Sequence, residues 1–179
     1  MFIKLPNKFV TPEYSVLNSH LKFGDTIDNV FKGIEYLNID FDVEQIYSYI
    51  PEQYRKDFAL HLMRVNTQVP PHTDTGILAT LNFYIKTEGC CTQFYKKKVS
   101  KPKTVQIENQ TDGYIFDETD LVKTESFVAY DNDVYLLDVS EVHSVIPESD
   151  FNERLAITLA TGSHSFKAVC DMVIEMRKL

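Results

Sequence analysis

His72 and Asp74 stand two positions apart after two consecutive prolines, and both side chains can bind a metal ion. On an extended segment, residues i and i+2 point to the same face, so the two can bind one ion. A third candidate, His143, follows 69 residues after Asp74 in the hydrophobic stretch 134–146. Two imidazoles and one carboxylate form the facial triad that leaves positions open on Fe(II) for oxygen activation. The sequence therefore predicts an iron site made of these three residues.

A fourth residue that could serve the same site is Arg154, eleven residues after His143. It opens the alternating stretch 154–160, which is typical of a strand with one buried face. A guanidinium buried in a β core needs an anionic partner, and a carboxylate can bind it through two parallel hydrogen bonds. We therefore expect Arg154 to hold a carboxylate ligand.

The strand predicted around residues 77–86 places Thr80, Asn82 and Tyr84 on one face, because side chains alternate along a strand. Leu81, Phe83 and Ile85 then lie on the opposite face. The polar set should face the same cavity as the metal ligands.

Short apolar or alternating runs separated by turn residues dominate the chain from Phe58 onward. Many short strands of this kind favour a sandwich or barrel over a parallel sheet with crossover helices. Pro70 and Pro71 predict a bend or an edge strand leading into His72. The predicted strands are 59–67, 77–86, 91–96, 104–108, 114–116, 126–130, 133–138, 142–146 and 154–161.

Helical spacing is found on both sides of this β region. Residues 27–34 carry apolar side chains at i, i+3, i+4 and i+7, namely Ile27, Val30, Phe31 and Ile34, and residues 41–50 predict a second short helix that ends before Pro51. Near the end, Phe166, Val169, Cys170 and Val173 share one helical face. We expect one domain over 1–179, with a helical N-terminal part at about 1–57, a β core at about 58–162 and a C-terminal helix at about 164–178.

Composition narrows the class of protein. The chain has 179 residues, 44% hydrophobic and 25% charged, which is typical of a globular domain. Its net charge of −8 argues against broad nucleic-acid binding. No membrane span or signal peptide is recognisable, so we expect a cytoplasmic protein. The three cysteines, with Cys90 and Cys91 adjacent, are expected to be thiols of the core or the pocket wall.

The order H-x-D, distal His, and Arg about ten residues later resembles the 2-oxoglutarate/Fe(II) dioxygenase superfamily, and its prolyl-hydroxylase-like branch in particular. The stretch from Thr80 to Tyr95, with Glu88-Gly89 at its turn, resembles the aromatic strand, turn and second aromatic strand of that branch. The similarity covers about 60–162 at the level of motifs. It implies a mainly β double-stranded β-helix, or jelly roll, with flanking N-terminal and C-terminal helices.

The resemblance also implies roles for particular residues. His72, Asp74 and His143 would hold Fe(II). The co-substrate 2-oxoglutarate would be bound by Arg154, Tyr84, Thr80, Asn82 and Thr158. Two positions depart from the family pattern: Ala156 replaces a frequent Ser, which leaves Thr158 as its substitute, and Cys90 replaces the second turn glycine. The implied activity is hydroxylation of a C–H bond with O₂, releasing succinate and CO₂. Its substrate would be a peptide or protein, of prolyl type, or a small molecule.

Two other functions remain open from the sequence. One is a cupin-like jelly roll that binds a metal without 2-oxoglutarate, and the other is a catalytically inactive binding or structural jelly roll, for example a virion component. Arg154 distinguishes the first of these from the oxygenase, because a metal-only site needs no buried cation.

Several further residues carry weaker expectations. Arg64 could face the cavity and meet a carboxylate, and residues 96–125 could form a hairpin or lid over its mouth. The lysines of that segment predict either a solvated loop or a docking patch for an acidic group; they are Lys96, Lys97, Lys98, Lys101 and Lys103. The histidines outside the triad are expected to be structural or exposed; they are His20, His61 and His164.

Overall fold

Two antiparallel sheets make up most of the protein. The computed structural model describes residues 1–6, 9–13, 15–23, 34–74, 76–107, 113–147 and 153–177. Within these residues the first sheet has seven strands in the order β1-β11-β6-β13-β4-β3-β2, and the second has six in the order β10-β7-β12-β5-β9-β8. The seven-stranded sheet consists of β1 (Phe2–Lys4), β2 (Ser15–Phe23), β3 (Ile34–Asp40), β4 (Ala59–Val65), β6 (Ala79–Lys86), β11 (Val134–Asp138) and β13 (Arg154–Thr161). The six-stranded sheet consists of β5 (Val69–Thr73), β7 (Cys91–Lys97), β8 (Thr104–Ile107), β9 (Gly113–Phe116), β10 (Leu121–Val128) and β12 (His143–Ile146).

The order in which the chain visits the two sheets is that of a jelly roll. Strands β4, β6, β11 and β13 lie together in the first sheet, and β5, β7, β10 and β12 lie together in the second. Along these eight core strands the chain passes from one sheet to the other at every step except that from β7 to β10, so each sheet receives strands from both halves of the core. The predicted mainly β, double-stranded β-helix fold is therefore confirmed, with β1–β3 added to one sheet and the β8–β9 hairpin to the other.

Strand β6 shows how the sequence pattern positions the site. Its residues Ala79–Tyr84 are buried on both faces. Leu81 and Phe83 belong to the main hydrophobic cluster, which lies between the outer face of the seven-stranded sheet and the helices. The alternate residues Thr80 and Asn82 consequently face the space between the two sheets, as the alternation predicted.

The C-terminal helix α2 (Phe166–Met176) is also confirmed. The Ser165 hydroxyl caps its N-terminus by accepting the Ala168 N–H at 3.3 Å. The helix packs against β11 and β6, and its buried side chains complete the main cluster. None of the helices in the described ranges is long and apolar enough to cross a bilayer.

The predicted helical character of the N-terminal part is wrong for most of its described residues. Ile34 begins strand β3, which pairs with β4, and β2 pairs in turn with β3. The open edge of β4 provides a ladder of hydrogen bonds, and pairing with it overrides the helical spacing. Among the described residues before β4, only α1 (Glu44–Tyr47) and a 3₁₀ turn (Glu52–Asp57) are helical. Ile27, Val30 and Phe31 lie outside the described residues.

Two other expectations needed correction. Pro70 and Pro71 are inside β5, which lies between β12 and β9 rather than at an edge. Its pairs with β12 are His143 with His72 and Val145 with Val69, with a register shift between them. The irregular register accommodates two residues that have no N–H to donate. Strand β10 begins at Leu121, five residues before the predicted strand.

Candidate metal centre and adjoining cavity

The predicted triad is assembled by two neighbouring strands. His72 on β5 and His143 on β12 are paired directly across the ladder. Asp74 follows β5, and its backbone N–H donates to the Val139 carbonyl at 3.3 Å. Because His72 and Asp74 are two residues apart on an extended segment, the sheet brings all three side chains to one place.

The ligand atoms of the triad are close enough to share one ion. One donor atom from each residue lies within 4.8 Å of the others. The His72 Nε2 and Asp74 Oδ1 atoms are 3.4 Å apart, and the two imidazole centroids are 4.3 Å apart. A cation with ligand bonds of about 2 Å brings its donors to about 3–4 Å from one another, so the set fits a metal after a small contraction.

Both imidazoles are held in the tautomer that metal binding requires. The Nδ1 atom of His72 lies 2.9 Å from the Pro70 carbonyl, and the Nδ1 atom of His143 lies 2.9 Å from the Glu141 carbonyl. Since a carbonyl only accepts, each Nδ1 carries the proton and each Nε2 keeps its lone pair.

The protonation states agree with a metal site. Burial and the neighbouring His72 lower the pKa of His143 to about 4, so its imidazole is neutral near pH 7. Burial acts to raise the pKa of Asp74, but the adjacent side chains of His72 and His143 hold that pKa below its ordinary value. A neutral His143 and an ionised Asp74 are forms that bind a divalent cation.

A cavity of ≈ 140 Å³ lies between the sheets and opens onto the triad. Most of its wall is apolar, including Val69, Val139 and Val145 around the triad. Asp74 is the one carboxylate among the described residues that line it. A largely apolar lining of this kind strengthens any electrostatic interaction made inside the cavity.

Arg154 is buried behind one wall of this cavity. Its side chain is 2% exposed, Nη1 donates to the Thr92 hydroxyl at 2.9 Å, and Nη2 donates to the Tyr84 hydroxyl. The guanidinium also lies 4.5 Å from the centre of the Tyr84 ring. Thr92 itself lines the cavity. Among the described residues no carboxylate lies within 4.0 Å of Arg154, so a buried cation has only neutral partners there.

Three polar side chains on the cavity wall also lack partners. The hydroxyls of Thr80 and Thr158 and the Oδ1 atom of Asn82 are buried without a hydrogen bond from the described part of the chain. Thr158 on β13 is paired with Asn82 on β6, and Thr80 lies two residues before Asn82. The three therefore form one patch on the inner face of the seven-stranded sheet.

Comparisons with known proteins add little to this geometry. No family model and no curated protein sequence matches the chain. Among solved structures it is similar to vicilin from hazelnut, Corylus avellana (11% identity, TM-score 0.39, 63% of this chain and 26% of that one). It is also similar to hydroquinone 1,2-dioxygenase in complex with Cd²⁺ and 4-hydroxybenzonitrile (11% identity, TM-score 0.30, 59% and 58%). The chain thus spans less than two thirds of either protein, and TM-scores below 0.5 assign no function.

The sequence analysis missed His61 and Tyr36, which both line the cavity. His61, expected to be structural or exposed, lines the cavity and is paired with Thr158 across the ladder. Tyr36 lines it too, 5.9 Å from His61 between ring centroids. Burial and the negative charge of Asp74 raise the pKa of the Tyr36 phenol, which therefore remains a hydrogen-bond donor at neutral pH. The alternation of β4 could have indicated His61, but Tyr36 required knowledge of β3.

The weaker expectations have mixed outcomes. Arg64 points away from the cavity and pairs with Glu35 at 3.1 Å and Glu153 at 3.7 Å, so the proposed carboxylate contact inside the cavity is wrong. The described part of 96–125 does form a hairpin, and β9 pairs with β5 at His72. His164 is structural, 3.0 Å from Asp57, and the side chain of His20 lies outside the description. Cys90 is buried, and Cys91 and Cys170 are partly exposed.

The lysines at the end of β7 and in the loop that follows are all exposed and do not line the cavity. Lys97 lies 4.9 Å from the centre of the Phe116 ring, and Lys98 donates to the Thr119 carbonyl. A docking role for Lys96–Lys103 therefore stays a prediction.

Gly76, in the segment that follows Asp74, makes a close approach to Gly162. A Cβ on Gly162 would lie 2.0 Å from the carbonyl oxygen of Gly76, which has φ +77. We expect Gly162→Ala to push this segment away and to lower the free energy of unfolding by about 2 kcal/mol or more. It should also weaken metal binding, because Asp74 is displaced. Chemical denaturation and metal titration would check this, with Ser163→Ala as the control; unchanged values for Gly162→Ala would contradict it.

Proposed function

We propose that this chain is an Fe(II)- and 2-oxoglutarate-dependent oxygenase that hydroxylates a C–H bond of its substrate. The balanced reaction consumes O₂ and 2-oxoglutarate and releases succinate and CO₂, with one oxygen atom entering the substrate. Metal binding by His72, Asp74 and His143 is supported by the geometry and protonation of the triad.

The observation that carries the choice of co-substrate is the buried Arg154. Removing a cation from water costs several kcal/mol unless an anion compensates it. The described residues give this guanidinium two hydroxyls and an aromatic face but no carboxylate. The second carboxylate of a dicarboxylic acid would supply the missing negative charge. A metal site that needs no dicarboxylic acid gives no reason to bury Arg154. This favours the oxygenase over the metal-only cupin-like alternative.

The site residues would bind the metal and the co-substrate from different parts of the cavity. His72, Asp74 and His143 would hold the metal from the six-stranded sheet. Arg154, with Tyr84 and Thr92, would hold the far carboxylate of the co-substrate. Bound iron and 2-oxoglutarate together supply oxygen activation and the reducing equivalents it needs.

The remaining residues of the cavity would mainly exclude water. Its apolar walls would keep water from a bound metal ion, which would limit side reactions. Tyr36 and His61 face the same space and offer polar contacts to a ligand.

The proposal is tested by adding Fe(II) and then 2-oxoglutarate to the full chain without oxygen. We expect a weak visible charge-transfer band that appears only when both are present, since it requires the keto acid on the metal. Succinate should reach the same final concentration as CO₂ once air is admitted.

Two outcomes would count against the proposal. Fe(II) binding without the band would favour a metal-only site, and no binding of Fe(II) would favour a catalytically inactive jelly roll. Glutarate, which has both carboxylates but no keto group, is the matched control and should produce no band.

A further inference from the structure

The patch formed by Thr80, Asn82 and Thr158 contains three polar atoms that have no hydrogen-bond partner among the described residues, in a wall that is otherwise mostly apolar. The three side chains are 9%, 4% and 2% exposed. Buried polar atoms in folded proteins nearly always have a partner, and each one left without costs free energy. Three of them at one place therefore point to a ligand group that hydrogen-bonds to all of them.

The chemistry of the patch indicates an uncharged ligand group. Asn82 directs Nδ2 to the Tyr84 hydroxyl at 3.5 Å, which leaves Oδ1 for the cavity. Oδ1 only accepts, so its partner must carry an N–H or O–H. The threonine hydroxyls can donate as well as accept. A dicarboxylate dianion offers acceptors only, so it does not satisfy Asn82.

The residues around the patch indicate what kind of ligand bears this uncharged group. Thr80 is paired with Leu137 on β11 and with Ala160 on β13, and Ala160 is paired with Ala59 on β4. All three neighbours are apolar and line the cavity, and the two alanines leave room above the patch. An aliphatic body fits here. A free amino acid fits less well, because its ammonium group needs a carboxylate partner. Asp74 is the one carboxylate of the described lining, and it would already be bound to the metal.

We propose that Thr80, Asn82 and Thr158 form a subsite for an uncharged group that both donates and accepts hydrogen bonds, an amide or an alcohol, on an aliphatic body. Binding at this subsite needs neither iron nor 2-oxoglutarate. That the bound group belongs to the hydroxylated substrate rests on the proposed function.

Methyl NMR of the full chain with ¹³C-labelled threonine tests the subsite, with and without Zn²⁺. The probes are N-methylacetamide, 2-propanol, acetate and methylammonium at equal concentrations. We expect the Thr80 and Thr158 methyl signals to shift and saturate with at least one neutral probe and to respond weakly to the two ions. Whichever of N-methylacetamide and 2-propanol binds more tightly identifies the ligand as an amide or an alcohol.

Isosteric variants provide the second arm. Thr158→Val removes one hydroxyl and keeps the shape, so the dissociation constant of the preferred neutral probe should rise about fivefold. Thr104→Val, at an exposed strand position outside the cavity, should leave it unchanged. The valine in place of Thr158 also removes an unpartnered hydroxyl, so the variant should unfold at no lower temperature than the original chain.

Three results would overturn the subsite: no shift with either neutral probe, a stronger response to acetate than to both, or equal probe affinity in Thr158→Val. None of these three results depends on iron or 2-oxoglutarate. The NMR experiment can therefore be interpreted even if the charge-transfer experiment fails. Conversely, a working charge-transfer band with no neutral-probe binding would retain the oxygenase and reject the subsite.

Discussion

Replacing Asp74 with alanine is expected to weaken Fe(II) binding by at least about 100-fold. Loss of a residue that merely orients a ligand already costs about 10- to 100-fold in metal affinity, and Asp74 supplies the only carboxylate of the triad. Two neutral imidazoles remain, and they carry no charge to offset that of the cation. Competition with a chromophoric chelator would measure the affinity, and the charge-transfer band should disappear.

The structural effect of this substitution should be small, which makes it interpretable. Asp74 lies after β5, its side chain is about one-fifth exposed, and its backbone contact to Val139 does not need the carboxylate. Asp171→Ala, on the exposed face of α2, is the matched control and should bind Fe(II) as the original chain does. Full metal affinity in Asp74→Ala would remove the proposed centre.

The second large effect is expected from Arg154→Met. Methionine keeps an unbranched apolar stem but loses the charge and the donors, so 2-oxoglutarate should bind about 30- to 1,000-fold more weakly, corresponding to about 2–4 kcal/mol. Fe(II) affinity should change little, because the triad is on the other sheet. Titration of 2-oxoglutarate into the Fe(II)-loaded protein, followed through the charge-transfer band, would measure this.

The same Arg154→Met substitution that weakens 2-oxoglutarate binding should not lower the stability of the fold. The buried guanidinium has no carboxylate partner among the described residues, and replacing such a cation with an apolar side chain is often neutral or stabilising. We expect the metal- and ligand-free variant to be at least as stable as the original chain. Arg64→Met on neighbouring β4 removes an outward-facing arginine and should leave 2-oxoglutarate affinity unchanged. A strongly destabilised Arg154→Met with normal co-substrate binding would show that Arg154 serves the fold instead.

Much of the core could be predicted because its signals are local. The alternation of β6 separates Thr80 and Asn82 from Leu81 and Phe83, and the structure keeps that division. The spacing of His72 and Asp74 likewise fixes their common face without knowledge of the fold. These patterns depend only on the two-residue period of a strand.

What could not be predicted depends on contacts between distant segments. Thr92 as a partner of Arg154 requires that β7 and β13 face each other across the two sheets. His61 enters the cavity because β4 pairs with β13 in one particular register. Tyr36 lies on β3, whose first residue, Ile34, is the last residue of the stretch 27–34 that has helical spacing. Local patterns contain no information about such pairings, so these residues appeared only in the structure.

The contacts of the His72 and His143 rings with backbone carbonyls restrict the motion of both imidazoles before any metal binds. Each ring is tethered to the carbonyl two residues before it, so rotation about its side-chain bonds is restricted once the strands pair. The entropy of ordering the two imidazoles is therefore lost during folding and not during metal uptake. A centre of this kind can release and recover its ion while the jelly roll stays folded, unlike small domains in which metal binding and folding are a single event.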